Sequence, residues 1–276
     1  MAVTDAELAR QQWADQMRLI RKAERRIAKP LRAAYQGGLS RWQATGIPDI
    51  PLEAKRDLAA VLSRVWLDAG QIGGRLAMDS DKGAYPALQT KQEELTLFDQ
   101  IMLEFIQRFG ALKVQQIIDT TRDQIVRVID RGVAEGLGQE AIAKRIIDAI
   151  PSFTRTRARV IARTEVHTAA MHASQEVAKT SPFPMNKRWI SVYDHRTRDF
   201  GEGDGVADYA NHRAMHEVTV GPDELFSVPR SPRVGGGFDL MTGPGDASAP
   251  GYQSINCRCA LIYRRVGRPW PKDGEV

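Results

Sequence analysis

Two histidines and two cysteines in the last quarter of the chain are the residues best suited to chemistry. His212 and His216 are four residues apart, so on a helix both imidazoles would project from the same face. Cys257 and Cys259 are two residues apart, so on a strand both thiols would point the same way. These four residues would suit a tetrahedral zinc ion, the one cofactor that the sequence indicates. In the other interpretation the thiols pack as small apolar groups and the imidazoles form hydrogen bonds.

A disulfide or a catalytic site explains these residues less well. Cys257 and Cys259 are the only cysteines, and a bond between residues two apart would be strained. A cysteine protease would need a thiol and histidine pair such as Cys257 and His212, but Arg258 and Cys259 would have no part in it. The sequence has no Walker motif, no GxGxxG and no acidic cluster for two-metal cleavage. We therefore expect a protein that is not an enzyme and has no catalytic residues.

Arg163 and Glu165 are a charged pair within one predicted helix. Residues two apart on a helix do not face each other, so each must find a partner elsewhere. Glu165 could meet Arg196 or Arg198, which follow a predicted strand. The pattern predicts an ion-pair network that joins the helix to the sheet; a catalytic role for Glu165 is the alternative.

Two groups of basic residues stand out in a chain whose formal net charge is +5. The first, on the polar face of the first helix, comprises Arg18, Arg21, Lys22, Arg25, Arg26, Lys29 and Arg32. The second, near the start of a later helix, comprises Arg155, Arg157 and Arg159. Cations at a helix N-terminus oppose its dipole unless an anion compensates. Both groups are candidates for contact with DNA phosphates, and ordinary exposed or ion-paired faces are the alternative.

The spacing of apolar residues predicts an α+β protein, mainly helical over its N-terminal two-thirds and ending in a small, loop-rich α+β module. Pro30 is expected to kink or divide the first helix, and Pro151 to end a later one. The other predicted elements are helices at 52–78, 93–109, 113–136, 139–150 and 154–179, a strand at 187–193 and an apolar run at 259–263. The predicted organisation is a helical region 1–137, a module 138–266 and a tail 267–276.

Four short motifs occur in a fixed order within this module. They are Ala-Arg-Thr-Glu at 162–165, Trp189 followed by Asp-x-Arg-Thr-Arg at 194–198, a histidine segment at 212–216, and Pro-Gly-Asp at 244–246 followed by Asn-Cys-Arg-Cys at 256–259. This order resembles the phage Mu F-like minor head proteins, a family of head-morphogenesis proteins. The residues that carry the resemblance are Arg163, Glu165, Trp189, Asp194, Arg196, Arg198, Asp246 and Asn256. The chain departs from the family pattern in the insertion at 199–211 and in Glu217, which replaces a common glycine.

The resemblance implies a minor head protein of the virion, made in the host cytoplasm and located inside the head near the portal. It implies contacts with the portal protein, with double-stranded DNA without sequence preference, and with the major capsid or scaffold protein. The region 1–137 would provide the portal and DNA contacts. No membrane anchor is expected, because no apolar run reaches 18 residues and no signal peptide is visible. The alternatives are a zinc-dependent hydrolase or other enzymatic effector carried in the virion, and a DNA-binding accessory protein without portal contact.

Overall fold

Six α-helices and five short strands form the part of the chain that the structure describes. The computed structural model describes residues 4–81, 83–88, 90–201, 205 and 207–270. The helices are α1 (Asp5–Thr45), α2 (Leu52–Ser80), α3 (Lys91–Phe105), α4 (Ala111–Ala134), α5 (Gln139–Lys179) and α6 (Gly251–Ser254). The strands are β1 (Met185–Ile190), β2 (Thr219–Val220), β3 (Phe226–Pro229), β4 (Phe238–Met241) and β5 (Ala260–Arg265). The predicted α+β class, helical first and then loop-rich, is confirmed.

Two prolines lie inside long helices instead of ending them. Pro30 is within α1 and Pro151 is within α5, so the expected end of a helix at Pro151 is wrong and α1 is not divided at Pro30. A proline in a helix interior costs about 3 kcal/mol. Apolar residues are buried on both sides of each proline, such as Ile27 and Leu31 in α1 and Ile146 and Ala158 in α5. Burial of several such side chains at roughly 1.5–3 kcal/mol each exceeds the local cost.

A π-helical turn, Ile106–Gly110, joins α3 to α4 where two separate helices are predicted from the sequence. Such a turn inserts one residue into the helical repeat and shifts the apolar face that follows it. The C-terminal end of α4 is as expected: Gly136 adopts φ 73°, and the backbone N–H of Leu137 donates to the carbonyl of Gly132. A left-handed glycine of this kind is the usual end of a helix.

The residues group into two compact units that are not consecutive in sequence. Unit 1 contains residues 1–19, 66–105 and 163–276. Unit 2 contains residues 20–65 and 106–162. The core of unit 1 contains fully buried Trp66, Phe98, Phe105, Trp189, Phe226 and Tyr263. The core of unit 2 contains fully buried Ile27, Leu31, Tyr35, Leu58, Ile125 and Ile146. The predicted boundaries at 137/138 and 266/267 stay a prediction.

A three-stranded antiparallel sheet in unit 1 pairs β1 with β5, which are the first and last strands in the chain. Its strand order is β2–β1–β5, with Trp189 opposite Leu261 and Ile190 opposite Ala260. The predicted strand at 187–193 corresponds to β1, and most of the apolar run at 259–263 lies in β5. Strands β3 and β4 form a separate hairpin. Because Ile190 pairs with Ala260, the residues just after β1 lie beside those just before β5.

Candidate functional site

His212, Cys257 and Cys259 form a buried cluster beside this sheet. The Nδ1 atom of His212 lies 3.6 Å from Sγ of Cys257 and 3.7 Å from Sγ of Cys259. The ligand atoms of the three residues all lie within 4.8 Å of one another. The side chains are only 1%, 2% and 4% exposed, respectively. The structure therefore brings together three of the four residues that the sequence identifies as candidate zinc ligands.

The backbone around the cluster explains why these side chains meet. Cys257 and Cys259 lie in the irregular segment between a turn at 255–256 and the start of β5. The backbone N–H of His212 donates to the carbonyl of Arg198 at 2.9 Å, and its own carbonyl accepts from Oγ of Ser191 at 2.5 Å. Ser191 directly follows β1, so the sheet register fixes the distance between His212 and the cysteines. The ring of Trp189 packs edge-on against His212, with 5.2 Å between centroids.

Hydrogen bonds determine which nitrogen of His212 carries the proton. Its Nε2 lies 2.9 Å from Oε1 of Gln253, while Nε2 of Gln253 donates to Oδ2 of Asp239 at 2.7 Å. A carboxylate only accepts, so the amide nitrogen of Gln253 must face Asp239 and its oxygen must face the imidazole. The proton of His212 is therefore on Nε2, and the lone pair of Nδ1 points at the two sulfurs.

The environment favours a thiolate in this pair of cysteines. Burial by itself raises the pKa of the Cys257 thiol, but hydrogen bonding from the thiol of Cys259 holds that pKa well below its ordinary value. The pKa of Cys259 is raised, because its thiol donates to Cys257 and because it is buried. The thiol of Cys257 therefore loses its proton readily, and the thiol of Cys259 retains its proton. Thiolates are the form in which cysteines bind metals and act as nucleophiles.

His216, predicted as the fourth ligand, does not join this cluster in the structure. Its Nδ1 accepts from the backbone N–H of Ser191 at 3.2 Å, and its ring lies against Tyr193 at 5.2 Å between centroids. The prediction of His216 as a ligand required His212 and His216 to lie on the same face of a helix. The chain there forms only a 3₁₀ turn at Arg213–Met215, so the spacing of four does not align the two rings.

Access to the cluster is too narrow for a substrate. The cavity beside His212 and Cys259 has a volume of about 10 Å³. That is room for about one water molecule or one ion. A catalytic zinc keeps an open position for water and substrate, whereas a structural zinc is closed by protein ligands. The geometry fits a structural site better than a hydrolase.

The Asp-x-Arg-Thr-Arg and Asn-Cys-Arg-Cys motifs are tied together by an ion pair. Arg258 donates from Nη1 to Oδ2 of Asp194 at 2.5 Å and from Nη2 to Oδ1 at 2.6 Å. Asp194 Oδ1 also accepts from the backbone N–H of Arg196 and from the hydroxyl of Thr197. The sequence motifs predict no contact for Arg258. The position of this arginine between two cysteines is what could have indicated a contact with another segment. On an extended strand its side chain points away from theirs.

The other motif residues have structural contacts. Glu165 is buried, and its Oε2 accepts from Nε1 of Trp66 at 3.0 Å, a partner that the sequence did not indicate. Arg198 donates to the carbonyl of Ile255, and the side chain of Arg196 is exposed. The backbone N–H of Asn256 donates to Oγ1 of Thr164, which connects α5 to the cysteine segment.

Asp246 organises the loop of the Pro-Gly-Asp motif. Its Oδ2 accepts from both the backbone N–H and the hydroxyl of Thr242 at 2.9 Å, and its Oδ1 accepts from the N–H of Ser248 at 2.8 Å. Asp199, in the segment where the chain departs from the family pattern, accepts from Nε of Arg213 at 2.9 Å. The motifs thus form a network of loop-closing contacts in unit 1.

The ion pair of Asp194 predicts a pH-dependent contribution to stability. The Arg258 guanidinium holds the pKa of the Asp194 carboxyl well below its usual range, against the opposing effect of partial burial. A carboxyl with a lowered folded-state pKa adds stability above its unfolded pKa of about 3.9, and this is lost as pH falls. We expect the stability advantage of the wild type over Asp194→Asn, measured by urea unfolding, to be full at pH 7 and to shrink below about pH 4. An advantage independent of pH from 7 to 2 would contradict this.

Comparison with known proteins assigns the chain to a family. The family model described as phage Mu protein F like protein matches residues 123–262, which is 140 of the 276 residues. The chain belongs to the phage Mu F-like family. The match contains all four motifs and begins upstream of the predicted module. Because this family consists of structural phage head proteins, the chain is a virion-associated protein of phage head morphogenesis.

One curated relative of this Mu F-like chain is the uncharacterized protein YqbB of Bacillus subtilis (strain 168). The two are 27% identical over 150 residues, which is 54% of this chain and 44% of the relative. The chain thus spans less than half the length of that relative. No solved structure is significantly similar to the chain. None of the described helices has the length and apolar character needed to cross a membrane.

Proposed function

We propose that this Mu F-like chain is a minor head protein inside the phage head near the portal, where it contacts the portal protein and the packaged double-stranded DNA. Family membership supports the head location. The exposed row of basic side chains on α1 is the observation that supports DNA contact.

The basic row of unit 2 consists of exposed residues on one side of α1. We name the basic stripe as Arg21, Lys22, Arg25, Arg26, Lys29 and Arg32. Glu24, which is half-buried, is the only acidic residue between positions 18 and 32. A face with this excess of cations attracts a polyanion without reading its sequence.

Arg18 and the basic residues of α5 differ in how available they are to bind phosphate. Arg18, in unit 1, is exposed and pairs with Asp15. Arg155 and Arg159 in unit 2 are exposed, and Nε of Arg159 lies 3.5 Å from Oε1 of Glu24. Exposed pairs of this kind are worth little and can exchange for phosphates.

Arg157, predicted with the phosphate contacts, lies within the packing of unit 2. Its Nη2 donates to the carbonyl of Ile117 at 3.4 Å. Burial lowers the pKa of its guanidinium even though the hydroxyl of Tyr35 opposes that effect. A half-buried guanidinium directed at a backbone carbonyl is poorly placed for a phosphate, so we leave Arg157 out of the proposed DNA surface.

Reversal of charge on the stripe should weaken DNA binding. We expect the purified protein to bind double-stranded DNA without sequence preference, with log K falling linearly against log salt because bound cations release counterions. Lys22→Glu, Arg25→Glu and Lys29→Glu together should lower affinity at least about tenfold and reduce the salt slope by about one for each phosphate that is no longer neutralised. Fluorescence anisotropy at several salt concentrations measures both quantities.

The control reverses three exposed cations of unit 2 that lie outside the stripe: Arg122, Arg131 and Lys144. The net charge changes equally, so non-specific loss of attraction affects both variants alike. Equal losses for the two triple variants, or binding that ignores salt, would count against the stripe as the DNA surface.

The portal contact requires a separate test in the assembled particle. An asymmetric reconstruction of the head should show density for the chain at the inner face of the portal vertex. Density elsewhere, or none, would overturn the portal contact while leaving the DNA contact open to the binding assay. That outcome would favour an accessory DNA-binding protein.

A further inference from the structure

His167 is a buried histidine of α5 with one nitrogen that is unused in the described part of the chain. Only 1% of the residue is exposed. Its Nδ1 lies 3.2 Å from Oε1 of Gln16. An amide oxygen only accepts, so Nδ1 carries the proton and Nε2 has the lone pair. Nε2 is buried without a hydrogen-bond partner among the described residues. A buried acceptor left in this state is costly unless something binds it.

The imidazole of His167 lies beside the cysteine segment. Thr164, one turn earlier on α5, accepts from the backbone of Asn256, so this face of the helix lies along the cysteine segment. The side chain of His167 interacts with that of Cys257, so the imidazole lies beside this thiol. Gly245 covers the ring: a Cβ there would lie 2.8 Å from Cδ2 and 3.1 Å from Nε2, and its φ is +69°. The Pro-Gly-Asp loop thus closes over the imidazole.

We propose that His167, His212, Cys257 and Cys259 bind one structural zinc ion, with His167 and not His216 as the fourth ligand. The inference concerns how unit 1 is held together and does not depend on the proposed contacts with DNA or portal.

The distances between His212 and the two sulfurs agree with a tetrahedral site. Zinc–sulfur bonds of about 2.3 Å and zinc–nitrogen bonds of about 2.0–2.1 Å at tetrahedral angles place nitrogen and sulfur about 3.6 Å apart. Nδ1 of His212 lies 3.6 and 3.7 Å from the two sulfurs. Two nitrogens and two sulfurs in this geometry select zinc over harder cations such as magnesium or calcium.

Both histidines are held by the outer contacts that metal ligands usually have. His212 donates from Nε2 to Gln253, which is anchored on Asp239, and His167 donates from Nδ1 to Gln16. In each case an amide oxygen accepts the N–H of one ring nitrogen, which leaves the lone pair of the other nitrogen available to a metal. These contacts orient both imidazoles for binding a cation.

The test measures zinc in the full chain, purified without a histidine tag. We expect about one zinc per chain by elemental analysis, and zinc-edge X-ray absorption showing two sulfurs at about 2.3 Å and two imidazole nitrogens at about 2.0–2.1 Å. His167→Ala should lose at least about tenfold in zinc affinity, whereas His216→Ala, the matched control, should keep the wild-type value. A chelator should lower the melting temperature of the wild type and of His216→Ala.

Three results would overturn the proposal. The first is less than about one-tenth of an equivalent of zinc in the wild type, since a closed site of this kind retains its metal. The second is a zinc spectrum with a single imidazole. The third is zinc lost in His216→Ala and kept in His167→Ala. If His167→Ala fails to fold, the wild-type spectrum and the His216→Ala variant still decide which histidine binds.

Discussion

We expect Gly73→Ala to destabilise unit 1 by about 3 kcal/mol, even though alanine favours a helix over glycine by about 1 kcal/mol. A Cβ on Gly73 would lie 1.8 Å from the carbonyl oxygen of Ala170 and 2.6 Å from its carbonyl carbon. These are backbone atoms of α5, which cannot rotate away as a side chain can. The two helices must separate to admit the methyl group, so the close packing along their whole crossing is loosened.

Gly70→Ala is the matched comparison for this prediction. Gly70 lies one turn earlier on α2, and its added Cβ would meet the side chain of Met102. Methionine has three rotatable bonds and adapts to such changes. Both variants gain the same helix propensity, so the difference in urea midpoint isolates the backbone clash. A Gly73→Ala protein as stable as Gly70→Ala would show that the helices are not in direct backbone contact.

Removal of the buried carboxylate of Glu165 should have the second largest effect. Glu165 is 6% exposed, and its Oε2 accepts the indole N–H of Trp66 at 3.0 Å. Glu165→Ala leaves that donor without its acceptor, at about 1–3 kcal/mol, and also removes buried side-chain volume. We expect a total loss of about 3 kcal/mol, measured by chemical unfolding monitored through tryptophan fluorescence.

Glu165→Gln separates the hydrogen bond from the charge. Glutamine keeps an oxygen that can accept from Trp66, so it should retain most of the stability if that bond is the main contribution. A Glu165→Ala protein as stable as the wild type would falsify the structural role. Trp66→Phe completes a double-mutant cycle with Glu165→Ala, in which the two losses should be less than additive.

Much of the candidate site was predictable because its motifs are local. Cys257 and Cys259 point the same way on any extended strand, and His212 belongs to the same motif series. The structure places their ligand atoms within 4.8 Å of one another, and their role as metal ligands stays a prediction. The basic stripe on α1 was also predictable, since a helix of known period exposes its charged face whatever it packs against.

The residues that sequence reasoning missed depend on contacts between distant segments. Arg258 is an ordinary arginine in the sequence and becomes an ion-pair partner only because Asp194 is placed beside it. His167 is separated from Cys257 by 90 positions, and no local pattern distinguishes it from other histidines of an amphipathic helix. His216 was assigned from helical spacing, which failed because the segment forms a single 3₁₀ turn.

By itself the sequence determined the family, the α+β class and the faces of the helices, because each of these follows from motif order or from a short-range period. Only the tertiary structure decided that helix α5 continues through Pro151, that Glu165 meets Trp66, and that Nε2 of His167 is buried without a hydrogen-bond partner among the described residues. The physical reason is the same in each case. Burial and hydrogen-bond satisfaction are properties of segments brought together by the fold, and their free energies exceed the local preferences that a sequence displays.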